Sequence, residues 1–510
     1  MNNKSISPII LMILDGWGHS TNAKGNAIHE ANTPIIDKLW DNYPKTLLSA
    51  SGEHVGLPHK QMGNSEVGHT TIGAGRIINQ DLVKISKSIK NKEFFNNYQL
   101  HNIYKYSCEK NSKVHIVGLC SNGGVHSHIN HLKALIQISK QYKVMTCLHL
   151  ITDGRDTLPK QAKLFVKEII DIIDENYNTE ICTISGRYYS MDRDCRWSRT
   201  EKAYKAMVEN SCNQNSSSDI LSIIDKYYEQ NISDEFLPPT KISMHNIVHN
   251  DSLIFFNFRP DRIRQLLHSF AKPNFKGFQR KTIKNLMLTT FTEYDSTLSI
   301  PTVFPNEPKK NFLGQIISNS GLKQLRLAET EKYAHVTYFF NGGIEEPFPG
   351  ENRELIASPK VETYDLPPEM SAYQLTNSLI EAINKQLYQF IVINYANPDM
   401  IGHTGNMNAT IEAIEIVDQC IEKVLHTIED TNNILIITSD HGNADYMLTD
   451  ENKPCTSHSI NPVPFILINN RQKKQTNLHS HGSLADIAPT ILDILNINIP
   501  NEMNGKSLIT

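Results

Sequence analysis

Acidic and imidazole side chains recur in this chain at spacings that suit divalent metal ions. Asp399 and His403 are four residues apart, so on one helical turn both could reach the same cation. Asp440 and His441 are adjacent and follow an apolar run. Each residue alone has another interpretation, since an Asp after a strand commonly caps a helix. Oxygen and nitrogen ligands together suit Mn, Zn, Co or Fe and leave Mg possible. The set that predicts a two-metal site is Asp15, Asp399, His403, Asp440, His441 and His458.

Ser65 is the candidate nucleophile. It lies near the centre of residues 61–75, a segment rich in glycine and small polar residues. A serine flanked by glycines is most often a helix cap or a turn residue. Beside two divalent cations, however, its hydroxyl could lose a proton and attack an electrophile without an adjacent histidine base.

Five arginines follow predicted strands or lie at glycine turns. Any one of them could form an ordinary surface ion pair of small energy. Five together predict a binding site for a carboxylate and a phosphate, because the planar guanidinium binds both groups through two hydrogen bonds. These residues are Arg155, Arg187, Arg193, Arg259 and Arg262.

Short apolar runs that end in these polar residues indicate the elements that position them. Runs of four to six apolar residues are typical of buried parallel strands, and amphipathic helical stretches such as 411–428 lie between them. This alternation predicts an α/β fold with a mainly parallel sheet flanked by helices, which binds ligands at the carboxyl ends of its strands. The runs are 9–14, 114–117, 148–151, 253–256, 390–393 and 434–437.

Composition excludes several classes of protein. The 510 residues include 50 Lys and Arg against 54 Asp and Glu, a net charge of -4 that argues against a nucleic-acid binder. None of the eight cysteines forms a CxxC pair, so we expect reduced thiols. The apolar run 8–14 is too short to span a membrane. We therefore expect a cytoplasmic protein that binds neither membrane nor nucleic acid.

Two candidate joints divide the chain. Residues 299–310 contain three prolines, which favour an extended connection, and a second joint lies near 73–76. The interpretation is that 77–311 are inserted into a domain formed by 1–76 and 312–510.

Several motifs of the chain resemble those of the cofactor-independent phosphoglycerate mutases, which belong to the alkaline phosphatase superfamily. The match runs through the whole chain in the family's order. The resemblance implies an alkaline-phosphatase-like core with an inserted second α/β domain. It further implies a largely monomeric glycolytic isomerase that interconverts 3-phosphoglycerate and 2-phosphoglycerate without 2,3-bisphosphoglycerate. The motifs are 14–18, 62–75, 121–128, 153–156, 397–405, 439–443 and 461–464.

The same resemblance assigns roles to residues. It implies that Ser65 becomes phosphorylated and that Asp156 exchanges protons with the glycerate hydroxyls. Ser439, where alanine is common in the family, is a small departure that removes no ligand. Two Mn²⁺ ions are expected, with Co²⁺, Mg²⁺ or Zn²⁺ possible. One ion would take Asp399, His403 and His458, and the other Asp15, Ser65, Asp440 and His441. The substrate would contact His126, Arg155, Asp156, Arg187, Arg193, Arg259, Arg262 and Lys332.

Two other interpretations stay open from the sequence. A metal-dependent phosphatase or a phosphopentomutase-like enzyme would share the core, but we expect its insertion to be smaller and to lack this set of arginines. An inactive binding protein on the same scaffold would have lost metal ligands or the nucleophile, and Ser65 and the six candidate ligands are present.

Overall fold

The structure is a computed structural model that describes residues 7–173, 178–209, 220–306, 309–449, 451–470 and 476–510. It has two compact units. Unit 1 comprises Met1–Gln80 and Pro308–Thr510, and unit 2 comprises Asp81–Glu307. In the proline-rich stretch 299–310, Val303 and Phe304 pack into a hydrophobic core of unit 2, while 307 and 308 lie outside the described residues.

The strands alternate with helices along most of the chain. They are β1 (Ile9–Leu14), β2 (Lys45–Ser49), β3 (Val114–Leu119), β4 (Thr146–Thr152), β5 (Thr179–Gly186), β6 (Thr240–Lys241), β7 (Ser252–Phe255), β8 (Met287–Thr290), β9 (Gln324–Glu329), β10 (Glu351–Ile356), β11 (Phe390–Tyr395), β12 (Ile434–Thr438), β13 (Val463–Ile468) and β14 (His481–Ser483).

The α-helices are α1 (Ala27–Glu30), α2 (Pro34–Asn42), α3 (Ser65–Ala74), α4 (Asp81–Lys90), α5 (Tyr98–Lys110), α6 (Ile129–Ser139), α7 (Ala162–Ile172), α8 (Arg187–Ser190), α9 (Trp197–Val208), α10 (Ile220–Glu229), α11 (Arg264–Ala271), α12 (Leu313–Asn319), α13 (Ala372–Asn384), α14 (Asn397–Gly402), α15 (Met407–Ile428) and α16 (Ile487–Ile494). Within the described ranges, no helix combines the length and the apolar character needed to cross a membrane.

Unit 1 is built on an eight-stranded sheet in the order β10-β9-β11-β1-β12-β13-β2-β14. Its first five strands are parallel, whereas β13 is antiparallel to both of its neighbours. Alternate residues of β1 enter different cores: Ile9, Leu11 and Ile13 pack on one face, and Ile10, Met12 and Leu14 on the other. A strand covered on both faces must be apolar throughout, which explains why this run was recognisable in the sequence.

Unit 2 contains a six-stranded sheet in the order β6-β5-β4-β3-β7-β8, and only the short edge strand β6 is antiparallel. Helices cover both faces of this sheet, and a hydrophobic core lies between the sheet and the helices on each face. The predicted α/β class with mainly parallel sheets is therefore confirmed. Five parallel strands in each unit bring their carboxyl ends to one edge, where the predicted site residues lie.

Candidate active site

Three neighbouring parallel strands of unit 1 deliver acidic residues to the same edge. Asp15 directly follows β1, Asp399 lies in α14 just after β11, and Asp440 follows β12. The central strand β1 pairs with both of the others, with Leu14 opposite Tyr395 and Ile13 opposite Thr438. All three carboxylates are buried. Their proximity follows from the parallel pairing, although Asp399 and Asp440 are each more than 370 positions from Asp15 in the chain.

Ser65 begins α3, and the start of that helix is fixed by Asn64, whose side chain accepts a hydrogen bond from the N–H of Val67 at 3.0 Å. Gly68, one turn later, lets the helix approach Asp440, because an added Cβ would lie 2.6 Å from the Asp440 carbonyl oxygen. The Ser65 Oγ lies 3.2 Å from Asp15 Oδ1. The close approach of α3 to Asp440 at Gly68 thus places the Ser65 hydroxyl at the strand ends.

Lys332 lies in a 3₁₀ turn after β9 and is buried at the same place. Its Nζ donates to Asp15 Oδ1 at 2.7 Å, to Asp399 Oδ2 at 2.6 Å and to the Ser65 Oγ at 2.8 Å. Burial alone would lower the pKa of Lys332, but the charges of Asp15 and Asp399 raise it above its usual value. Lys332 is therefore a fixed positive charge beside the candidate nucleophile.

The Nε2 atoms of His403 and His458 face the same point. The Nδ1 of His403 faces the Thr456 carbonyl at 2.9 Å, and the Nδ1 of His458 faces the Gly63 carbonyl at 2.8 Å. In the neutral rings each Nδ1 must carry the proton to make these bonds, which leaves both Nε2 atoms with lone pairs only 3.0 Å apart. Asp399 Oδ1 lies 3.3 Å from each of them. Two lone pairs and a carboxylate that converge in this way fit a cation, as at histidine metal sites.

The charges at this edge also fit metal ions. Among the described residues, Lys332 is the one lysine or arginine that pairs with Asp15 and Asp399, so three carboxylates less one lysine leave a net charge of -2 with neutral imidazoles. Burial would lower the pKa of His441, but the charges of Asp440 and Asp399 raise it to about 9, so without a metal ion this ring would take up a proton and offset one of the two charges. Buried negative charge of this size requires compensation by cations.

The second group of candidate ligands surrounds Ser65. The His441 Nε2 lies 3.0 Å from the Ser65 Oγ and 3.5 Å from Asp15 Oδ1. Asp440 Oδ2 is buried and has no hydrogen-bond partner among the described residues, so it is available as a ligand. Carboxylate, imidazole and hydroxyl together suit the same divalent metals as the first group.

His69 was missed in the sequence, although it is also close enough to Asp15 and Asp440 to share a cation with them. Its Nδ1 faces the Ser65 carbonyl at 2.8 Å, and its Nε2 faces the amide of Asn394 at 3.0 Å. Asn394 in turn donates to Asp15 Oδ2 at 2.7 Å. Both ring nitrogens of His69 thus have partners, and through Ser65 and Asn394 the ring helps to position the candidate ligands. Its position four residues after Ser65, on the same helical face, was the signal that could have identified it.

Ser439 connects two of these loops. Its Oγ accepts from the Trp17 N–H at 3.0 Å and donates to the His441 carbonyl at 2.8 Å. Ser439 therefore ties the turn after β1 to the turn after β12.

Unit 2 has a second polar cluster at the carboxyl ends of its own strands. Arg187, which follows β5, is buried and donates through Nη1 to Asp153 at 2.7 Å and to Asp156 at 2.6 Å. Asp153 also accepts from the Ser121 hydroxyl at 2.6 Å. Of these residues, the sequence prediction named Arg187 and Asp156 but gave no role to Asp153 or Ser121.

The other predicted arginines of unit 2 are more exposed. Arg193 and Arg259 share Asp261, at 3.1 Å and 3.0 Å, and about half of each side chain is exposed. The Arg155 side chain is 3.9 Å from Glu235. Burial and then the charges of Arg193, Arg155 and Arg187 lower the pKa of Arg262, which places these cations near one another.

His126 lies on the same side, with its Nδ1 3.7 Å from Asp261 Oδ1. Burial, followed by the charge of Arg187, lowers the pKa of His126 to about 4, so the ring is neutral near pH 7. A cluster of cations with a neutral imidazole is suited to an anionic ligand.

Comparisons with known proteins agree with this geometry. The family model of the metalloenzyme superfamily matches residues 7–499. A protein of Gracilaria tenuistipitata var. liui, named 2,3-bisphosphoglycerate-independent phosphoglycerate mutase, is 62% identical over 98% of this chain and 98% of its own length. A protein of the same name from Cyanothece sp. is 50% identical over 99% of this chain and 96% of its own.

A solved structure is similar as well. The crystal structure of Leishmania mexicana phosphoglycerate mutase at low cobalt concentration is 28% identical, with a TM-score of 0.58, and covers 99% of this chain and 98% of that one. The similarity thus extends through both units.

Proposed function

The chain belongs to the 2,3-bisphosphoglycerate-independent phosphoglycerate mutases of the metalloenzyme superfamily, and we propose that it transfers the phosphoryl group through Ser65. The observation that carries this proposal is the position of the Ser65 Oγ, 2.8 Å from Lys332 Nζ and 3.0 Å from His441 Nε2. A hydroxyl beside a fixed ammonium group can approach a phosphoryl group whose negative charge that ammonium group offsets.

Two divalent metal ions, Mn²⁺ by preference and Co²⁺, Mg²⁺ or Zn²⁺ as alternatives, are part of the proposal. When bound, they would lower the pKa of the serine hydroxyl and offset charge on the phosphoryl oxygens. The opposed Nε2 atoms of His403 and His458 support this assignment, as does Asp440 Oδ2, which accepts no hydrogen bond from the described residues and has only the His69 and His441 rings near it, at 3.2 Å and 3.6 Å. One ion would be held by Asp399, His403 and His458, the other by Asp15, Ser65, Asp440 and His441.

The proposed transfer has two balanced steps. In the first, the Ser65 Oγ, which has already lost its proton to solvent, forms a bond to phosphorus, the bond from phosphorus to the 3-oxygen of glycerate breaks, and protonated Asp156 gives that oxygen its proton. In the second, the 2-hydroxyl of the reoriented glycerate gives its proton to Asp156 and forms a bond to phosphorus, while the bond from phosphorus to the Ser65 Oγ breaks and frees Ser65 as the alkoxide for the next cycle. One carboxyl group that both gives and takes the proton returns to its starting state.

We further propose that unit 2 binds the glycerate. Support comes from its cluster of cations around a neutral histidine, since arginine binds carboxylates and phosphates through paired hydrogen bonds. The domain of 1–76 and 312–510 would hold the metals, and 77–311 the substrate. A monomeric state and a cytoplasmic location remain predictions. The proposed substrate contacts are His126, Arg155, Asp156, Arg187, Arg193, Arg259 and Arg262, with Lys332 on the phosphoryl group.

The test is to incubate the protein, loaded with Mn²⁺, with 3-phosphoglycerate and to follow the products by phosphorus NMR. We expect 2-phosphoglycerate without 2,3-bisphosphoglycerate, and a Ser65 phosphopeptide in quenched samples by mass spectrometry. Ser65→Ala should abolish both. Steady release of inorganic phosphate without the 2-isomer would indicate a phosphatase, and full turnover by Ser65→Ala would exclude the covalent step.

A further inference from the structure

Asp153 connects three loops of unit 2, and the proposed reaction gives it no role. It follows β4, and its side chain is only 1% exposed. Its Oδ2 accepts from the Ser121 hydroxyl at 2.6 Å, and its Oδ1 accepts from Arg187 Nη1 at 2.7 Å. Since Ser121 lies beyond β3 and Arg187 directly follows β5, one carboxylate joins the loops after three adjacent strands.

The same carboxylate also shapes the turn in which it lies. Oδ1 accepts from the backbone N–H of Arg155 at 3.2 Å and from that of Asp156 at 3.0 Å. Gly123 packs against this turn, since a Cβ there would be 2.9 Å from the Asp156 Cβ. The Asp153 carboxylate thereby fixes the turn that carries Arg155 and Asp156, two of the proposed substrate contacts.

Arg187 is only half satisfied by these contacts. Its Nη1 is shared between Asp153 and Asp156, whereas its Nε and Nη2 have no hydrogen-bond partner among the described residues. The side chain is 3% exposed. Both atoms touch solvent, so a ligand can reach them, and an anion is the ligand that a guanidinium accepts best. Asp153 therefore holds one side of the guanidinium and leaves the other for an anionic ligand.

We propose that Asp153 is a positioning residue for substrate binding, which holds Arg187 in the orientation that presents its free N–H groups to an anionic group of the phosphoglycerate. This inference rests on the substrate-binding role proposed above for Arg187. Without the carboxylate, Arg187 would keep Asp156 as its one acidic partner and would turn towards it. The substrate would then lose an oriented contact, and Asp156 would be less free to exchange a proton.

The experiment is a double-mutant cycle on the metal-loaded enzyme with 3-phosphoglycerate. Asp153→Asn, which keeps the shape of the side chain but removes its charge, should lower kcat/KM by about 10- to 100-fold, mainly through a higher KM. Arg187→Ala should lower it further. If Asp153 acts through Arg187, the double variant should match Arg187→Ala within about threefold, since coupled residues are not additive.

Asp251→Asn is the matched control, because Asp251 is a buried acid at the opposite end of the same sheet. It accepts from the Lys113 N–H at 2.9 Å, the Val248 N–H at 2.8 Å and the His115 ring at 3.1 Å. We expect a lower Tm and an unchanged KM. Ser121→Ala removes a single bond to Asp153 and should raise KM by a few-fold, so it carries the test if Asp153→Asn does not fold.

The possible results separate the two proposals. A KM for Asp153→Asn equal to that of the unchanged enzyme, or multiplicative effects in the cycle, would overturn the positioning role. If Ser121→Ala has to carry the test, an unchanged KM would overturn it likewise. If Arg187→Ala itself leaves kcat/KM unchanged, the proposed function of Arg187 is wrong, whatever the Asp153 variants do.

Discussion

The Nζ of Lys332 and the Oγ of Ser65 are 2.8 Å apart, although 267 residues separate them in the chain. The lysine side chain is almost fully buried and pairs with carboxylates on either side, so its position is set by three partners at once. It thus provides a positive charge that does not have to move as a phosphoryl group reaches the serine.

Lys332→Met should therefore reduce turnover far more than substrate binding. Removing one fixed donor to the reacting group typically costs about 10²- to 10³-fold in kcat, and we expect a loss in this range with KM within a few-fold of its original value. Steady-state kinetics with 3-phosphoglycerate measure both. Lys385→Met, at an exposed i,i+4 ion pair with Glu381, is the matched control and should leave both unchanged. A rise in KM with kcat unchanged would contradict the placement of Lys332 beside the transferring group.

Metal removal should destabilise unit 1 as well as stop the reaction. Chelation leaves the lone pairs of His403 and His458 opposed at 3.0 Å, and an ion at 100 times its dissociation constant stabilises the folded state by about 2.7 kcal/mol. Thermal unfolding with and without Mn²⁺ measures this difference. His458→Ala should show a smaller Mn²⁺-dependent rise in Tm than the unchanged chain.

The control for this measurement is His479→Ala, because His479 is an exposed histidine of the same unit. Its Mn²⁺-dependent rise in Tm should equal that of the unchanged chain. An equal response from His458→Ala would show that the ion binds elsewhere.

The α/β class and the position of the strand ends could be predicted because buried parallel strands are apolar throughout. The run 9–14 is the whole of β1, and 434–437 forms all but the last residue of β12. Strands with polar residues have no such pattern: β9 contains Gln324, Arg326 and Glu329, all buried, and could not be recognised as a strand from its residues.

The supporting residues of both clusters could not be predicted for a related reason. Asn394 donates to Asp15 across 379 residues, and Ser121 donates to Asp153 from the loop after a neighbouring strand. Only the sheet order brings these pairs together. Residues that contact ligands have characteristic types and spacings, whereas the residues that orient them are identified by their partners.

A buried chain of imidazoles predicts how the stability of unit 2 depends on pH. The His115 ring donates through Nε2 to Asp251, and its Nδ1 accepts from His149 Nε2 at 2.9 Å. The His149 Nδ1 then accepts from the Thr183 hydroxyl at 2.9 Å. With both rings neutral, every ring nitrogen of His115 and His149 takes part in a hydrogen bond. Burial lowers the pKa of His115, and it lowers the pKa of His149 well below the usual value.

Since the unfolded chain binds these protons near pH 6.5 and the folded chain does not, the free energy of unfolding should fall as the pH drops below about 6.5. The slope approaches about 1.4 kcal/mol per pH unit for each histidine. His149→Gln should reduce the slope in urea unfolding between pH 7 and 5. Equal slopes for His149→Gln and the unchanged chain would contradict the neutral assignment.

Gly68 offers a test of how tightly α3 must approach the strand ends. In Gly68→Ala the new methyl carbon would lie 2.6 Å from the Asp440 carbonyl oxygen, so the helix or the Asp440 loop must shift. Forcing a group into a packed site typically costs about 1–3 kcal/mol, and the shift would also move Ser65 away from Lys332. We expect a lower Tm and a kcat reduced by at least about tenfold, since small displacements at a reacting centre can cost 10²-fold. Glu66→Ala, exposed on the same helix, should change neither. A fully active Gly68→Ala would show that the helix tolerates a looser fit, and that the serine is positioned by its polar partners alone.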